Sequence, residues 1–478
     1  MTQERGAVMP LTALLMVVLV GMVAFATDLG WLFLNANRTQ KAADAAALGG
    51  VVYMPSAFDQ ATAVALEVAS DNAYIDASLG GDATVVPSKV TGFPNRLDVE
   101  ITREVPTFFM RLFGVGSVDI TKNAIAEMIP PVRMGGRDTV FGYLPDGYPN
   151  AGSAGDGFWL AINGRGERRQ NGDPWNTACG HDCGDAGGNP WRDERLAEGL
   201  DGYYYAVDVP AGTTSVTVTL FDPGMNTGIS SYPGLPAGQK PNDSGSITPT
   251  YFQLFQTDNT PYDPRDNPPA PGCSATYAGS SALGWIDLCT ILIPTGGGIF
   301  PLQITTGDTG AGRQVFSIQV SGNGPRATTV YGLGSMSIWS NQADISSRFE
   351  LMEITETYRG RQVLLRLFDP GDVQSGSSAT LRIIPDAPTG VTCSYTDHNG
   401  SPQTQTGTCS VVTATPSQAQ LYNGKWLEIL FQIPADYACS TDCWWDIDYL
   451  FTGTPTERTT WTAGIPGSPV RLVFDDTP

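Results

Sequence analysis

From Ala7 to Thr27 the chain reads AVMPLTALLMVVLVGMVAFAT, 21 residues without a charge. No other stretch restricts the fold as strongly. A helix of about 20 apolar residues spans the ~30 Å hydrocarbon layer of a bilayer, and a helix satisfies its own backbone N–H and C=O groups where no water is present to do so. Pro10 falls in the first turns, where a missing N–H costs least. Ala24-Phe25-Ala26 also resembles the small-residue cleavage site of a secretory signal. Two features favour a retained anchor. The run exceeds the ~7–15 residues of a signal core, and helical character continues past it without a turn. Both readings put the residues after Thr27 outside the cytoplasm. Flanking charge adds little, since Arg5 precedes the run while Arg38 and Lys41 follow it.

The continuation is DLGWLFLNANRTQKAADAAALGGVVYM. Leu29, Leu32, Phe33, Ala36, Ala43 and Ala47 fall roughly on one helical stripe, and NRTQKAADAAAL is rich in good helix formers. Gly49-Gly50 reads as the stop. The expected helix runs from Met9 to Leu48, about 60 Å at 1.5 Å per residue, half in lipid and half above it. Gly30, Ala43 and Ala47 are small enough to let another helix approach closely. Asp28 stands at the membrane edge, either as an interfacial polar residue or as a partner contact. Further on, Phe58, Ala61, Ala65 and Val68 mark a second helix, and Leu97, Val99 and Ile101 alternate like a half-buried strand. Phe108, Phe109, Leu112 and Phe113 read as a core helix in preference to a membrane-dipping one.

Arg5-Gly6-Ala7, Asp28-Leu29-Gly30, Asn37 to Gln40 and Ala42 to Leu48, closed by VPTFFMRLFGVGSVDITKNAIAEM at 105–128, form a pattern. It resembles the N-terminal module of TadG-like proteins of the tight-adherence (Flp) pilus machinery. The resemblance covers residues 1 to about 128, roughly a quarter of the chain. It implies a pilin-like α+β body over a membrane anchor, a role in assembling or anchoring an adhesive pilus at the envelope, and pilus-assembly proteins as partners. It does not imply catalysis. A prepilin peptidase site would place Glu five residues after the cleaved Gly, but Gly6 is followed at that offset by Leu11. A retained anchor is therefore expected rather than processing as a pilin.

Pro130-Pro131 and Met134-Gly-Gly-Arg137 mark a linker. Beyond it the apolar period changes to two: Val216, Val218, Leu220; Phe316, Ile318, Val320; Val363, Leu365, Leu367; Trp445, Ile447, Tyr449, Phe451. Short alternating runs separated by turn residues are the pattern of β-sandwiches or barrels. SVTVTLFDPG (215–224) matches QVLLRLFDPG (362–371), and RQVFSIQVSG (313–322) is paired with CWWDIDYLFTG (443–453). Two copies of one sandwich are thus expected near 138–325 and 326–478, each large enough to fold alone. The full reading is a multi-domain chain: cytoplasmic tip and transmembrane helix (1–30), TadE/TadG-like α+β module (31–130), and two related all-β sandwich domains (131–325 and 326–478).

All eight cysteines lie beyond residue 178, in four close pairs: Cys179/Cys183, Cys273/Cys289, Cys393/Cys409 and Cys439/Cys443. Local pairing implies an oxidising compartment, although eight cysteines permit ~105 connectivities. Zinc at Cys179-Gly-His-Asp-Cys183 would need four ligands, and only His181 lies nearby. The repeated Phe-Asp-Pro-Gly reads as a strand end and turn. The calcium alternative, with Asp222, Asp369 and Asp372 joined by Asp173, lacks an ordered ligand spacing, so no cofactor or metal is expected. Trp444-Trp445 offers an aromatic pair on which a sugar could stack.

Only 27 Lys and Arg face 48 Asp and Glu, a net charge of −21, so nucleic acid is not an expected partner. With two histidines, His181 and His398, a histidine-built metal centre or catalytic triad is not expected. No G-x-S-x-G, H-E-x-x-H or P-loop occurs. The expectation is a non-enzymatic, single-pass protein of the cell membrane with its bulk outside, acting in pilus assembly or anchoring. The alternative is a surface adhesin or glycan-binding protein carried on the same anchor.

Overall fold

The computed structural model describes residues 8–54, 57–142, 158–178, 192, 196, 200–222, 248–260, 262–278, 284–293, 297–307, 310–339, 346–387, 389–439, 441–453, 455, 457–467 and 469–473. Cys179, His181 and Cys183 lie outside these residues. The chain forms two compact units, Met1–Ile129 with Ser468–Pro478, and Pro130–Gly467.

In the first unit, helix α1 runs unbroken from Val8 to Val51, about 66 Å at 1.5 Å per residue. Its two halves have opposite surroundings. Between Met9 and Phe25 the large side chains stand bare, with Met9 82% and Val17 72% exposed. This is the one helix among the described residues long and apolar enough to cross a membrane. From Asn35 onward a stripe of α1 is core: Thr39, Ala42, Ala43, Ala46, Ala47 and Val51 are all buried. Helix α2 (Phe58–Asp71) meets this stripe through Ala61, Ala65 and Ala69.

Alanine on both sides brings the two axes close, and Gly49 and Gly50 take the approach further. A Cβ on Gly50 would lie 2.6 Å from the Ala61 carbonyl oxygen and 2.6 Å from Leu97 Cδ2. These glycines therefore do not stop the helix as the sequence reading expects. They are helical residues whose missing side chains make room for α2 and the sheet.

That sheet is antiparallel, with β1 (Ala83–Val90), β2 (Phe93–Pro106) and β3 (Ser117–Met128) in sequence order. Val470–Val473, near the end of the chain, pairs with β3 from Met128 to Ile125. The last strand thus belongs to the first unit's sheet and not, as the sequence reading expects, to the second sandwich. Glu127, 2% exposed, binds Arg96 of β2 and Arg471 of the returning strand at 3.3 and 3.4 Å. Leu97, Val99 and Ile101 are fully buried, as their alternation predicts. Between β2 and β3 a short 3-10 helix, Met110–Phe113, buries none of its residues. The expected core helix at Phe108, Phe109, Leu112 and Phe113 is therefore corrected: the residues are apolar, but all four remain exposed to between 41% and 85%.

The second unit opens with two short strands, β4 (Arg133–Met134) and β5 (Val140–Phe141). Eight strands follow: β6 (Trp159–Asn163), β7 (Tyr203–Val209), β8 (Ser215–Asp222), β9 (Thr250–Phe255), β10 (Pro269–Tyr277), β11 (Gly284–Leu292), β12 (Gly298–Thr306) and β13 (Arg313–Gly322). After the connecting β14 (Thr329–Leu333) come β15 (Ser335–Trp339), β16 (Ser346–Glu353), β17 (Gln362–Phe368), β18 (Ser378–Ile384), β19 (Thr392–Thr396), β20 (Pro402–Thr406), β21 (Cys409–Ala414), β22 (Trp426–Gln432), β23 (Trp444–Thr452) and β24 (Arg458–Gly464). In the first copy the sheets are β6-β13-β8-β11 and β7-β12-β9-β10; in the second they are β15-β24-β17-β22 and β16-β23-β18-β21. The two orders are identical once the inserted hairpin β19–β20 is set aside. Each is the eight-stranded double-sheet arrangement of a jelly roll.

Topology also corrects one repeat match. Strand β8 is equivalent to β17, as the shared Phe-Asp-Pro-Gly suggests, but β13 is equivalent to β24 rather than to β23. Alternating apolar strands look alike in sequence, so a one-strand slip leaves no trace there.

The copies join edge to edge. Ile338 of β15 pairs with Leu160 of β6, while in the other layer β4 bridges β14 and β16, with Met134 opposite both Gly332 and Met352. The expected linker thus supplies a bridging strand in a continuous pair of sheets. The cystines Cys273–Cys289 and Cys393–Cys409 each tie one sheet to the other at the far end of their copy. Their equal spacing comes from different segments, β10 to β11 in the first and β19 to β21 in the second. Cys439–Cys443 closes the turn before β23.

Candidate functional site

Helix α1 carries a line of polar residues where it leaves its bare half. Asn35 Nδ2 donates to the Trp31 carbonyl at 2.8 Å. Thr39 Oγ1 donates to the Asn35 carbonyl at 2.9 Å and lies 3.0 Å from the Tyr74 hydroxyl. Gln40 reaches the Asn123 carbonyl of β3 at 2.9 Å. At the head of the line stands Asp28, fully buried. Its Oδ1 accepts the backbone N–H of Phe108 at 2.8 Å, and its Oδ2 accepts those of Phe109 and Met110 at 2.8 and 2.6 Å.

Three converging amides offer a carboxylate charge-assisted bonds, each about twice as strong as a neutral pair. Trp31, one turn along, sets its ring 5.6 Å from that of Phe108. The β2–β3 loop is thereby latched to the helix beside the Ala7–Thr27 run. Asp28 is neither a free interfacial group nor available to an outside partner. Sequence places it at the membrane edge, but its partners lie 80 residues away.

The other small residues of α1 divide. Ala43 and Ala47 are wholly buried in the α1–α2–sheet core. Gly30 is exposed, and a Cβ there would meet nothing within 4 Å. Among the small positions singled out, only Gly30 stays open to an outside helix.

The second unit removes the proposed tryptophan platform. Trp445 is fully buried, its ring 5.1 Å from Phe431 and its indole N–H donating to the Tyr437 hydroxyl at 3.0 Å. Trp444, on the opposite face of β23, packs with Ala206, Ile299 and Tyr331. Adjacent strand residues face opposite ways, but here both faces are covered. A different groove is open, with a volume of about 620 Å³. Trp175, Tyr204 and Trp426 line it together with the Arg366–Glu428 ion pair at 3.0 Å.

The Phe-Asp-Pro-Gly turn of the second copy is built around buried carboxylates. Asp369 takes a left-handed φ of 61° and accepts the Gly424 N–H at 2.7 Å. Gly371 and Asp372 both donate their N–H to Glu457 Oε2, at 2.7 and 2.8 Å, and Thr459 donates its hydroxyl to Glu457 Oε1. Burial pushes Asp372 up to about 7 and Glu457 up to about 8; Asp369 also rises, through burial and then the charge of Asp372. Among the described residues no group of three or more His, Cys, Asp or Glu is placed to hold a metal ion. Asp173 is buried and accepts the Trp175 N–H at 3.0 Å. The Asp222 side chain lies outside the described residues.

Residues 6–57 match the family model described as putative Flp pilus-assembly TadE/G-like. The matched stretch holds Asp28, the alanine stripe and both glycines against α2, and it associates this module with Flp pilus assembly. Among curated proteins nothing matches the chain. One similarity among solved structures is to the N-terminal CBM22-1–CBM22-2 tandem domain of Xyn10C from Paenibacillus barcinonensis. It covers 54% of this chain and 81% of that one at 10% identity, with a TM-score of 0.14; a likeness of that score decides nothing about fold or ligand.

Proposed function

We propose that this protein is a single-pass envelope component that acts as a non-catalytic structural accessory in assembling or anchoring the Flp pilus. Its N-terminus lies in the cytoplasm and the jelly rolls lie outside. One observation carries the reading. A single uninterrupted helix is bare and apolar over one bilayer thickness, then becomes the central core element of the family-matched module. Displacement of the anchor is therefore transmitted to the folded module without a hinge. The partners are the membrane and membrane-embedded pilus-assembly proteins, and no cofactor is required. Cystines in the second unit support an oxidising compartment for it.

The test combines location with phenotype. The native protein is expected in the membrane fraction with residues 7–27 still attached, and a deletion strain should lose surface pili. Complementation should succeed with the full chain and fail when residues 1–27 are replaced by a cleavable signal. Normal piliation in the deletion strain argues against the role, and a mature N-terminus near Thr27 argues against the anchor.

A second reading, surface glycan binding, draws support from the groove. Indole and phenol faces beside a guanidinium–carboxylate pair suit the apolar faces and hydroxyls of a sugar.

A further inference from the structure

The loop latched by Asp28 leaves its largest apolar groups exposed. Phe113 is 85% exposed, Leu112 78%, Phe108 48% and Phe109 41%. At the same level and just above it on α1, Leu29, Phe33 and Leu34 are also exposed. An exposed apolar band of this kind marks a contact surface, and its position indicates which. Asp28 lies 20 residues beyond Val8, about 30 Å along the helix, one hydrocarbon thickness. From Met9 to Leu34, the last of these exposed apolar side chains on α1, the helix spans about 39 Å, near the ~40–45 Å of a bilayer with its headgroups.

The loop's backbone is also equipped for a medium without water. Asp28 takes the N–H groups of Phe108, Phe109 and Met110. Leu112 donates to the Phe109 carbonyl, Gly114 to Arg111 and Val115 to Met110, at 3.0 to 3.2 Å. These bonds lower the cost of taking the loop to the headgroup–acyl boundary, where apolar side chains bury about 5–10 Å deep. Between Thr107 and Gly116 the only charge is Arg111, which is exposed and suits a phosphate headgroup.

We infer that Phe108–Val115 is a second membrane-inserted element, entering the leaflet next to the folded module beside α1. Leu112 and Phe113 lie among acyl chains, Arg111 lies at the headgroups, and Asp28 is the latch that fixes the depth. The inference rests on the anchor reading of α1. Two contacts with the bilayer would fix the tilt and rotation of the module, which a single helix leaves open.

The test reconstitutes the full chain in vesicles containing phosphatidylcholine with a diazirine in its acyl chain, and maps adducts by mass spectrometry after illumination. Adducts are expected on peptides from both Leu11–Phe25 and Phe108–Phe113. In the Leu112→Asp/Phe113→Asp double variant the loop adducts should fall at least tenfold while the helix adducts stay constant. These side chains are exposed, so the fold should tolerate the change. Adducts confined to the helix would overturn the loop's insertion and leave the anchor standing. Loop labelling unaffected by the double variant would also overturn it. Adducts on neither segment would overturn the anchor and the loop together.

Discussion

Replacing Asp28 with alanine is expected to free the β2–β3 loop from helix α1. The effect follows from what remains behind. Three backbone N–H groups, those of Phe108, Phe109 and Met110, now share one carboxylate. Alanine supplies no acceptor, so three part-buried donors lose their partner at once and are left to water. Part of the loss is recovered if the loop swings into water, so the local signature is sharper than the global one. Amide hydrogen exchange at residues 108–110 should quicken by about a hundredfold, equivalent to about 2.8 kcal/mol, while Leu97 and Val99 in the sheet stay protected. Asp28→Asn should fall between the two, because it keeps one acceptor oxygen and brings an NH₂ towards amides that also donate. Unchanged exchange at 108–110 in Asp28→Ala would show that Trp31 and the strand ends hold the loop without the latch.

This residue also shows where sequence reading stops. Periodicity located α1 to within three residues at its C-terminal end, found α2, and identified Leu97, Val99 and Ile101 as the buried face of a strand. These are local regularities, and local chemistry sets them. Gly49-Gly50 looks like a helix stop because glycine is a poor helix former. Its actual service depends on Ala61 and Leu97, which only the fold brings near. Phe108, Phe109, Leu112 and Phe113 are apolar enough to leave water, but composition does not say whether protein or lipid receives them. The sandwich repeat is visible in Phe-Asp-Pro-Gly, which has a distinctive turn chemistry. It was out of register where only alternating apolar residues were available. Trp444 and Trp445 suggested a platform by residue type, and both are consumed by packing. The Glu457 cluster had no sequence signal, since Glu457 lies 85 residues beyond the Asp372 amide that it accepts.

That cluster predicts how the second unit responds to pH. Free Glu and Asp titrate near 4, whereas in the fold burial holds Glu457 up to about 8 and Asp372 up to about 7, and keeps Asp369 high. Below pH ~4 folded and unfolded chains both carry these protons, and the contribution to stability is fully present. As pH rises towards 8 the unfolded chain has released them while the folded chain still binds them. Stability therefore falls with rising pH across this window, then levels above the folded values. For Glu457 alone the loss is on the order of 4 kcal/mol. Asp263 and Asp397 pull the other way. Their carboxyls are held below the usual range, chiefly by the Arg265 side chain and the Ser401 backbone N–H respectively, so their contribution is lost in stronger acid.

The unfolding midpoint of the second unit should thus peak near pH ~4 and drop by several degrees at pH ~9, followed through the near-ultraviolet signal of its buried tryptophans. Glu457→Gln keeps an oxygen for the Gly371 and Asp372 amides and offers its NH₂ to Thr459, without a proton to lose. It should match the wild type at pH ~4 and exceed it at pH ~9 by most of that ~4 kcal/mol. Parallel pH profiles for the two proteins would mean that Glu457 is ionised in the fold. A midpoint at pH ~8 raised by millimolar Ca²⁺ in the wild type but not in Glu457→Gln would mean that a cation, rather than protons, neutralises Asp369, Asp372 and Glu457. The Asp-rich turn would then be a calcium seat after all.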